Sequence, residues 1–146
     1  MGVSMGASTV LMAAGTDGLP ENVKGVAADC GYSDIREVIA QVIKRMKLPH
    51  APAWHFVKAG ARIFGHFDLE EVLTLDLVKK IKIPVMLVHG EKDSIIPVRM
   101  SQEMYEACAS EKELILVPEA DHGMSYFVDN ETYEKAMTEF FLQASK

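Results

Sequence analysis

The chain has 146 residues, of which 49% are apolar and 25% are charged, as is usual for globular proteins. The formal net charge of −6 argues against a nucleic-acid partner, and no apolar run approaches the roughly 18 residues that a membrane span needs. Two cysteines, Cys30 and Cys108, are too few for a disulfide framework and lack metal-ligand spacing, so we interpret both as buried thiols.

The first third of the chain alternates between helix and strand patterns. Small apolar residues from Gly6 to Ala14 predict a buried helix that begins at the preceding serine. The run from Val23 to Asp29 predicts a strand that is buried on both faces. Apolar residues at helical spacing from Ile35 to Met46 predict an amphipathic helix, capped by Asp34 or Ser33.

The middle of the chain has helix patterns alone. Pro49 and Pro52 interrupt the chain after the amphipathic helix. Aromatic and aliphatic residues from Phe56 to Phe67 predict a second helix, and Leu69 to Lys80 predicts a third helical stretch.

Strands and helices alternate again in the last third. Ile83 to His89 and Leu114 to Val117 predict two further buried strands. A helix is expected from Val98 to about Ala109, and a final helix is expected after a cap at Asp129 or Asn130. This alternation predicts an α/β protein with three parallel strands and helices on both faces of the sheet.

Three residues that could act together in catalysis lie at the ends of these predicted elements. The stretch from Gly2 to Gly6 fits G-x-S-x-G, in which Ser4 would be a nucleophile on a sharp strand-to-helix turn. Asp93 follows the second predicted strand and His122 follows the third. Because functional groups gather at the carboxyl ends of parallel strands, we expect Ser4, Asp93 and His122 to lie together.

Each of the three residue types supplies a separate role in nucleophilic catalysis. The hydroxyl of Ser4 needs a base, His122 can accept its proton near neutral pH, and Asp93 would orient the imidazole. The backbone N–H of Met5 would face the oxyanion of the reaction. Gly2 and Gly6 would relieve crowding around the serine.

Other titratable residues leave alternatives open. Asp29 ends the first predicted strand and is the rival of Asp93 as the acid. Glu119 and Asp121 are interpreted as loop carboxylates, and His89 as an ordinary histidine at a strand end. Three further histidines have no matching acid or metal spacing and are interpreted as surface or packing residues: His50, His55 and His66. No cofactor and no metal site are expected.

The segments GVSMGAS, HGEKDSIIP and PEADHG resemble the C-terminal half of bacterial α/β-hydrolases, and ADCGYSD is similar to their serine aminopeptidase-like branch. The resemblance covers essentially the whole chain. It implies a partial α/β-hydrolase fold, with a short, mostly parallel sheet and flanking helices, in a single domain over 1–146. It also implies that the segment 34–80 is a helical cap.

The same resemblance implies roles and a reaction. Ser4 would be the nucleophile, Asp93 the acid and His122 the base of a hydrolase that cleaves carboxylic ester, thioester or small amide bonds through an acyl-enzyme. The substrate would be a small acyl compound. Four cap aromatics would line an apolar pocket or, alternatively, pack the cap onto the sheet: Trp54, Phe56, Phe64 and Phe67.

The chain departs from the family pattern at its front, where only Met1 precedes the serine motif. We therefore expect the N-terminal strands, including the parent strand of the motif, and the second oxyanion donor to be missing. The strand Val23 to Asp29 would then have an open edge, which predicts self-association as a homo-oligomer. A cytoplasmic location is favoured, although a signal or anchor would lie in the missing part.

Two further hypotheses therefore stand beside the enzymatic one. In the first, the chain is a truncated, catalytically inert α/β module that self-associates. In the second, which rests on the aromatic cluster alone, the chain is a binding module that uses its apolar cap. The serine motif in combination with Asp93 and His122 favours the hydrolase.

Overall fold

The computed structural model describes residues 1–71 and 73–146. Contacts divide these residues into a first unit, 1–33 with 74–146, and a second unit, 34–73. The strands are β1 (Gly2–Val3), β2 (Val26–Asp29), β3 (Val85–Gly90) and β4 (Lys112–Val117). The helices are α1 (Met5–Ala14), α2 (Ile35–Arg45), α3 (His50–Phe64), α4 (Thr74–Val78), α5 (Arg99–Ala107), α6 (Ser125–Val128) and α7 (Asn130–Ala144).

The first unit is built on one parallel sheet in the order β1-β2-β3-β4. Alternate residues of its central strands point to opposite faces. Ala28 and Leu87 pack with Leu11 of α1 in one apolar cluster. Met86 packs with Phe140 of α7 in another. Helices therefore cover both faces, which confirms the predicted α/β class and its parallel sheet.

The edge of the sheet differs from the sequence-based expectation. A fourth strand, β1, pairs in parallel with the end of β2, so that Gly2 lies opposite Ala28 and Val3 opposite Asp29. All four residues of β2 are buried. Two residues of the motif itself therefore form a short edge strand that pairs with β2 at Ala28 and Asp29, and the predicted strand Val23 to Asp29 is not the outermost one.

Local chemistry explains where other elements begin. The Asp34 side chain accepts a hydrogen bond from the Arg36 amide, so Asp34 is the N-cap of α2. Helix α3 begins at His50, ahead of the predicted Phe56, and contains Pro52 in its first turn. Proline is tolerated there because the first amides of a helix have no acceptor within it.

The predicted helical stretch Leu69 to Lys80 is reduced to α4. Before it, the Asp68 carboxylate accepts a hydrogen bond from the Glu70 amide, a local turn that competes with helix formation. Val72 lies outside the described residues. The second unit ends at Leu73, so α4 belongs to the first unit, while the predicted cap 34–80 stays a prediction.

No helix in the described ranges is long and apolar enough to cross a bilayer.

Candidate active site

Ser4 lies in the turn that joins β1 to α1. Its amide donates a 2.8 Å hydrogen bond to the Asp29 carbonyl and so prolongs the pairing of β1 with β2. Its backbone then adopts φ 53° and ψ −119°, and α1 begins at the next residue. A positive φ is unfavourable for serine, so the surrounding ladder and helix hold a strained turn that projects the hydroxyl.

The two glycines of the motif do not share one role. A Cβ on Gly2 would come within 2.2 Å of the Gly6 carbonyl oxygen, which excludes any side chain at position 2 without a backbone shift. A Cβ on Gly6 would meet nothing within 4 Å. Only Gly2 therefore relieves crowding, contrary to the expectation that both glycines do.

His122 lies in the loop between β4 and α6. The Asp121 carboxylate Oδ1 accepts hydrogen bonds from the His122 amide at 2.7 Å and from the Ser94 amide at 2.8 Å. Gly123, the next residue, has φ 67°, a conformation that glycine adopts without strain. Asp121 thus ties the loop that carries His122 to the loop that carries Asp93.

The structure brings Ser4, His122 and Asp93 into one hydrogen-bonded chain. Ser4 Oγ lies 2.8 Å from His122 Nε2, and His122 Nδ1 lies 2.8 Å from Asp93 Oδ2. An ionised carboxylate can only accept, so Nδ1 carries the hydrogen and Nε2 is the acceptor for the serine hydroxyl. This tautomer leaves Nε2 ready to take a proton from Ser4.

The side chain of Asp93 is fully buried and saturated with donors. Its Oδ1 accepts from the amides of Ile95 and Ile96, both at 2.8 Å. Burial by itself raises the pKa of this carboxyl. The hydrogen bonds that it accepts, from His89 first and then from Ile96 and His122, outweigh burial and lower the pKa from 3.8 to about 2. Asp93 is therefore ionised at neutral pH.

Asp29, the rival acid, has other partners. Its Oδ1 accepts from the Ser125 hydroxyl at 3.2 Å and its Oδ2 from the Tyr133 hydroxyl at 3.1 Å. Burial raises the pKa of Asp29, and these hydrogen bonds offset part of the rise. Burial of the Tyr133 hydroxyl, and next the charge of Asp29, raise the pKa of Tyr133. Asp29 therefore anchors α6 and α7 to the sheet, and Asp93 is the carboxylate at His122.

One group of potential metal ligands occurs among the described residues. The donor atoms of Cys30, Asp93 and His122 lie within 4.8 Å of one another. Burial, and next the Asp29 carboxylate, raise the pKa of the Cys30 thiol to about 12. A metal would need the thiolate and would have to replace the hydrogen bond between His122 and Asp93, so this arrangement does not favour a metal.

The amide of Met5 occupies the first position of α1. Amides at this end of a helix have no acceptor within the helix, and the helix dipole adds a partial positive charge there. The side chain of Met5 is exposed. The N–H of Met5 thus follows Ser4 directly and is chemically suited to bind an anion, and its role as an oxyanion donor stays a prediction.

The four aromatic residues predicted to line a pocket lie in the second unit. There α2 and α3 form an open apolar groove of about 590 Å³, and Phe56 is the member of the four that lines it. Trp54 stacks on His50 instead, and Phe64 is 85% exposed. Within this unit the structure therefore does not bring the four aromatic residues together in the groove.

Two residues at the site were missed as functional candidates. His89, the penultimate residue of β3, is fully buried and its Nε2 lies 3.2 Å from Asp93 Oδ2. Asp121 bridges the two loops, as described above. For His89 a signal existed in the sequence, because it ends a buried strand four residues before Asp93, where polar groups of a parallel sheet converge.

Residues 71–127 match the family model described as serine aminopeptidase, S33. The chain is 31% identical over 140 residues to the uncharacterized protein YqkD of Bacillus subtilis (strain 168), covering 95% of this chain and 46% of YqkD. It is 32% identical over 81 residues to the bifunctional esterase/perhydrolase DCH of Acinetobacter calcoaceticus, covering 56% of this chain and 27% of DCH.

Among solved structures, the Pyrococcus furiosus esterase Pf2001 has a similar fold, with a TM-score of 0.74 and 24% identity. The match covers 99% of this chain and 52% of that esterase. The chain thus spans about half the length of the relatives it matches, YqkD included. Its four-stranded parallel sheet with flanking helices matches part of the Pf2001 esterase over almost all of the present chain. The chain thus has the fold of part of an α/β-hydrolase, and its residues 71–127 are similar to the serine aminopeptidase family.

Proposed function

We propose that the chain carries the catalytic triad of a serine hydrolase that cleaves carboxylic ester, thioester or small amide bonds of small acyl substrates. The observation that carries this proposal is the hydrogen-bonded chain from Ser4 through His122 to Asp93, with 2.8 Å at both links. The esterase names of DCH and Pf2001 support an ester as the substrate class. No step requires a cofactor or a metal.

In the first half-reaction, Ser4 Oγ attacks the acyl carbonyl carbon while its proton passes to His122 Nε2. The carbonyl electron pair moves onto oxygen, and the N–H of Met5 donates to that oxyanion. When the tetrahedral intermediate collapses, the bond to the leaving group breaks. The leaving oxygen, sulfur or nitrogen then takes the proton from His122 Nε2, and the acyl group remains on Ser4.

In the second half-reaction, water attacks the acyl carbon of Ser4 and gives a proton to His122 Nε2. The ester bond to Ser4 breaks, Oγ regains the proton, and the carboxylic acid leaves. In both half-reactions, the hydrogen stays on His122 Nδ1, which donates it in a hydrogen bond to Asp93. The charge of Asp93 stabilises the imidazolium that forms in each half-reaction. The low pKa of Asp93 keeps this charge in place at neutral pH.

The test is hydrolysis of a short p-nitrophenyl ester by the purified chain. We expect turnover that Ser4→Ala and His122→Ala reduce to background, because each variant removes one end of the proton transfer. Ser145→Ala is the matched control, since it removes an exposed hydroxyl at the far end of the chain. Equal rates for wild type and Ser4→Ala would contradict the proposal.

The second candidate is an inert α/β module that self-associates. The observation that favours it is the edge strand β1, which has only two residues and exposes 45% of Val3. Such an edge has unpaired backbone groups on its outer side and can accept a strand from another copy. Sedimentation at micromolar concentration distinguishes the candidates when combined with the ester assay: an inactive oligomer supports the module, and an active monomer contradicts it.

A further inference from the structure

The imidazole of His89 lies beneath the site, at the end of β3, and is fully buried. Its Nδ1 lies 2.7 Å from the Ser101 hydroxyl of α5. Its Nε2 lies 3.0 Å from the carbonyl oxygen of Ile96 and 3.2 Å from Asp93 Oδ2. Both ring nitrogens therefore have partners, and one of the partners is the carboxylate that binds His122.

The partners of Nε2 decide where its hydrogen is. A carbonyl oxygen and an ionised carboxylate can only accept, so Nε2 of His89 carries a hydrogen and shares it between them. The Ser101 hydroxyl can donate to Nδ1. Ser101 is thus compatible with the tautomer in which His89 directs an N–H at Asp93, and the two acceptors at Nε2 set that tautomer by themselves.

This N–H completes the support of the Asp93 carboxylate. Oδ1 is fixed by the amides of Ile95 and Ile96. Oδ2 faces two imidazoles, His122 at 2.8 Å and His89 at 3.2 Å. The amides hold Oδ1, and the N–H of His89 adds a second donor on Oδ2, which favours the carboxylate orientation in which Oδ2 meets His122.

We infer that His89 is a positioning residue of the hydrolase, which orients Asp93 Oδ2 toward His122 and closes the loop from Asp93 to Ile96. The inference rests on the proposed function, because it assigns His89 a role in the same reaction. His89 acts through Asp93 and touches neither the substrate nor the attacking oxygen. Its loss should therefore change the rate of the chemical step and leave substrate affinity unchanged.

A matched pair of amide variants separates this role from simple packing. In His89→Gln, the amide nitrogen can occupy the place of Nε2 and still donate to Asp93. In His89→Asn, the shorter amide can reach Ser101 but not Asp93. Ser101→Ala is the control that disturbs the same buried imidazole while it keeps the donor to Asp93.

The readout is kcat and KM for the p-nitrophenyl ester, per active site titrated with a fluorophosphonate. We expect His89→Asn to lower kcat about 10²-fold, the effect of a small misplacement of a catalytic group, with KM within about twofold of wild type. His89→Gln and Ser101→Ala should retain most of the activity. Equal losses in all three variants, or an unchanged kcat in His89→Asn, would overturn the inference.

A second measurement needs neither variants nor activity. The ¹⁵N shifts of the His89 ring in the wild-type chain report which nitrogen carries the hydrogen. We expect hydrogen on Nε2 at neutral pH, and hydrogen on Nδ1 alone would overturn the inference. If the wild-type chain shows this tautomer but hydrolyses no ester, the proposed function fails while the assigned contact of His89 with Asp93 stands.

Discussion

Replacement of Asp93 by asparagine tests the electrostatics of the site through folding stability. Asp93 has its pKa lowered from 3.8 to about 2 in the folded chain, because the hydrogen bonds it accepts outweigh its burial. Each pKa unit is worth about 1.4 kcal/mol, so the ionised carboxylate stabilises the fold by about 2 kcal/mol at neutral pH. Since the folded pKa is the lower one, this contribution is complete above pH 4 and disappears as the pH falls to 2.

The assay is urea unfolding of wild type and Asp93→Asn from pH 7 down to pH 2. We expect the difference in unfolding free energy between the two chains to shrink by about 2 kcal/mol, with most of the change between pH 4 and pH 2. Asp17→Asn is the control at an exposed carboxylate. A difference that stays constant with pH would refute the view that Asp93 is held ionised by its donors.

Two further substitutions test single contacts by urea unfolding at neutral pH. Gly2→Ala should destabilise the chain by about 1–3 kcal/mol, because its Cβ would meet the Gly6 carbonyl at 2.2 Å, whereas Gly6→Ala should be neutral or stabilising. Equal effects of the two would contradict the geometry of the turn. Tyr133→Phe removes a donor from the buried Asp29 and should cost about 1–3 kcal/mol, and an unchanged midpoint would show that Asp29 does not need it.

That Ser4, Asp93 and His122 lie together could be predicted because each follows or begins a distinct element in a recognisable order. Ser4 is part of a local motif, and Asp93 and His122 each follow a buried apolar run. The support around them could not be predicted in the same way. Asp121 acts through a carboxylate that bridges two loops 27 residues apart, and no local pattern encodes that pairing.

Some helices and strands of the fold could likewise be predicted from the sequence, and others could not. The apolar stripe of α2 is long and periodic, so this helix is evident from the sequence. The strand β1 has two residues, which are too few to show any periodicity. It forms because its backbone pairs with that of β2. Helix α3 extends through Pro52, which sequence reasoning interpreted as an interruption, because proline is harmless in a first turn. The helix α6 has four residues and is likewise too short to be predicted from periodicity.

Covalent labelling of Ser4 is the most direct test of the central claim, that this serine is an activated nucleophile. The purified chain is treated with a fluorophosphonate, from which the serine oxygen displaces fluoride, and the modified peptide is identified by mass spectrometry. We expect the label on Ser4, and its loss in both Ser4→Ala and His122→Ala. A chain that remains unlabelled while an intact serine hydrolase reacts under the same conditions, or a label on other serines alone, would contradict the account.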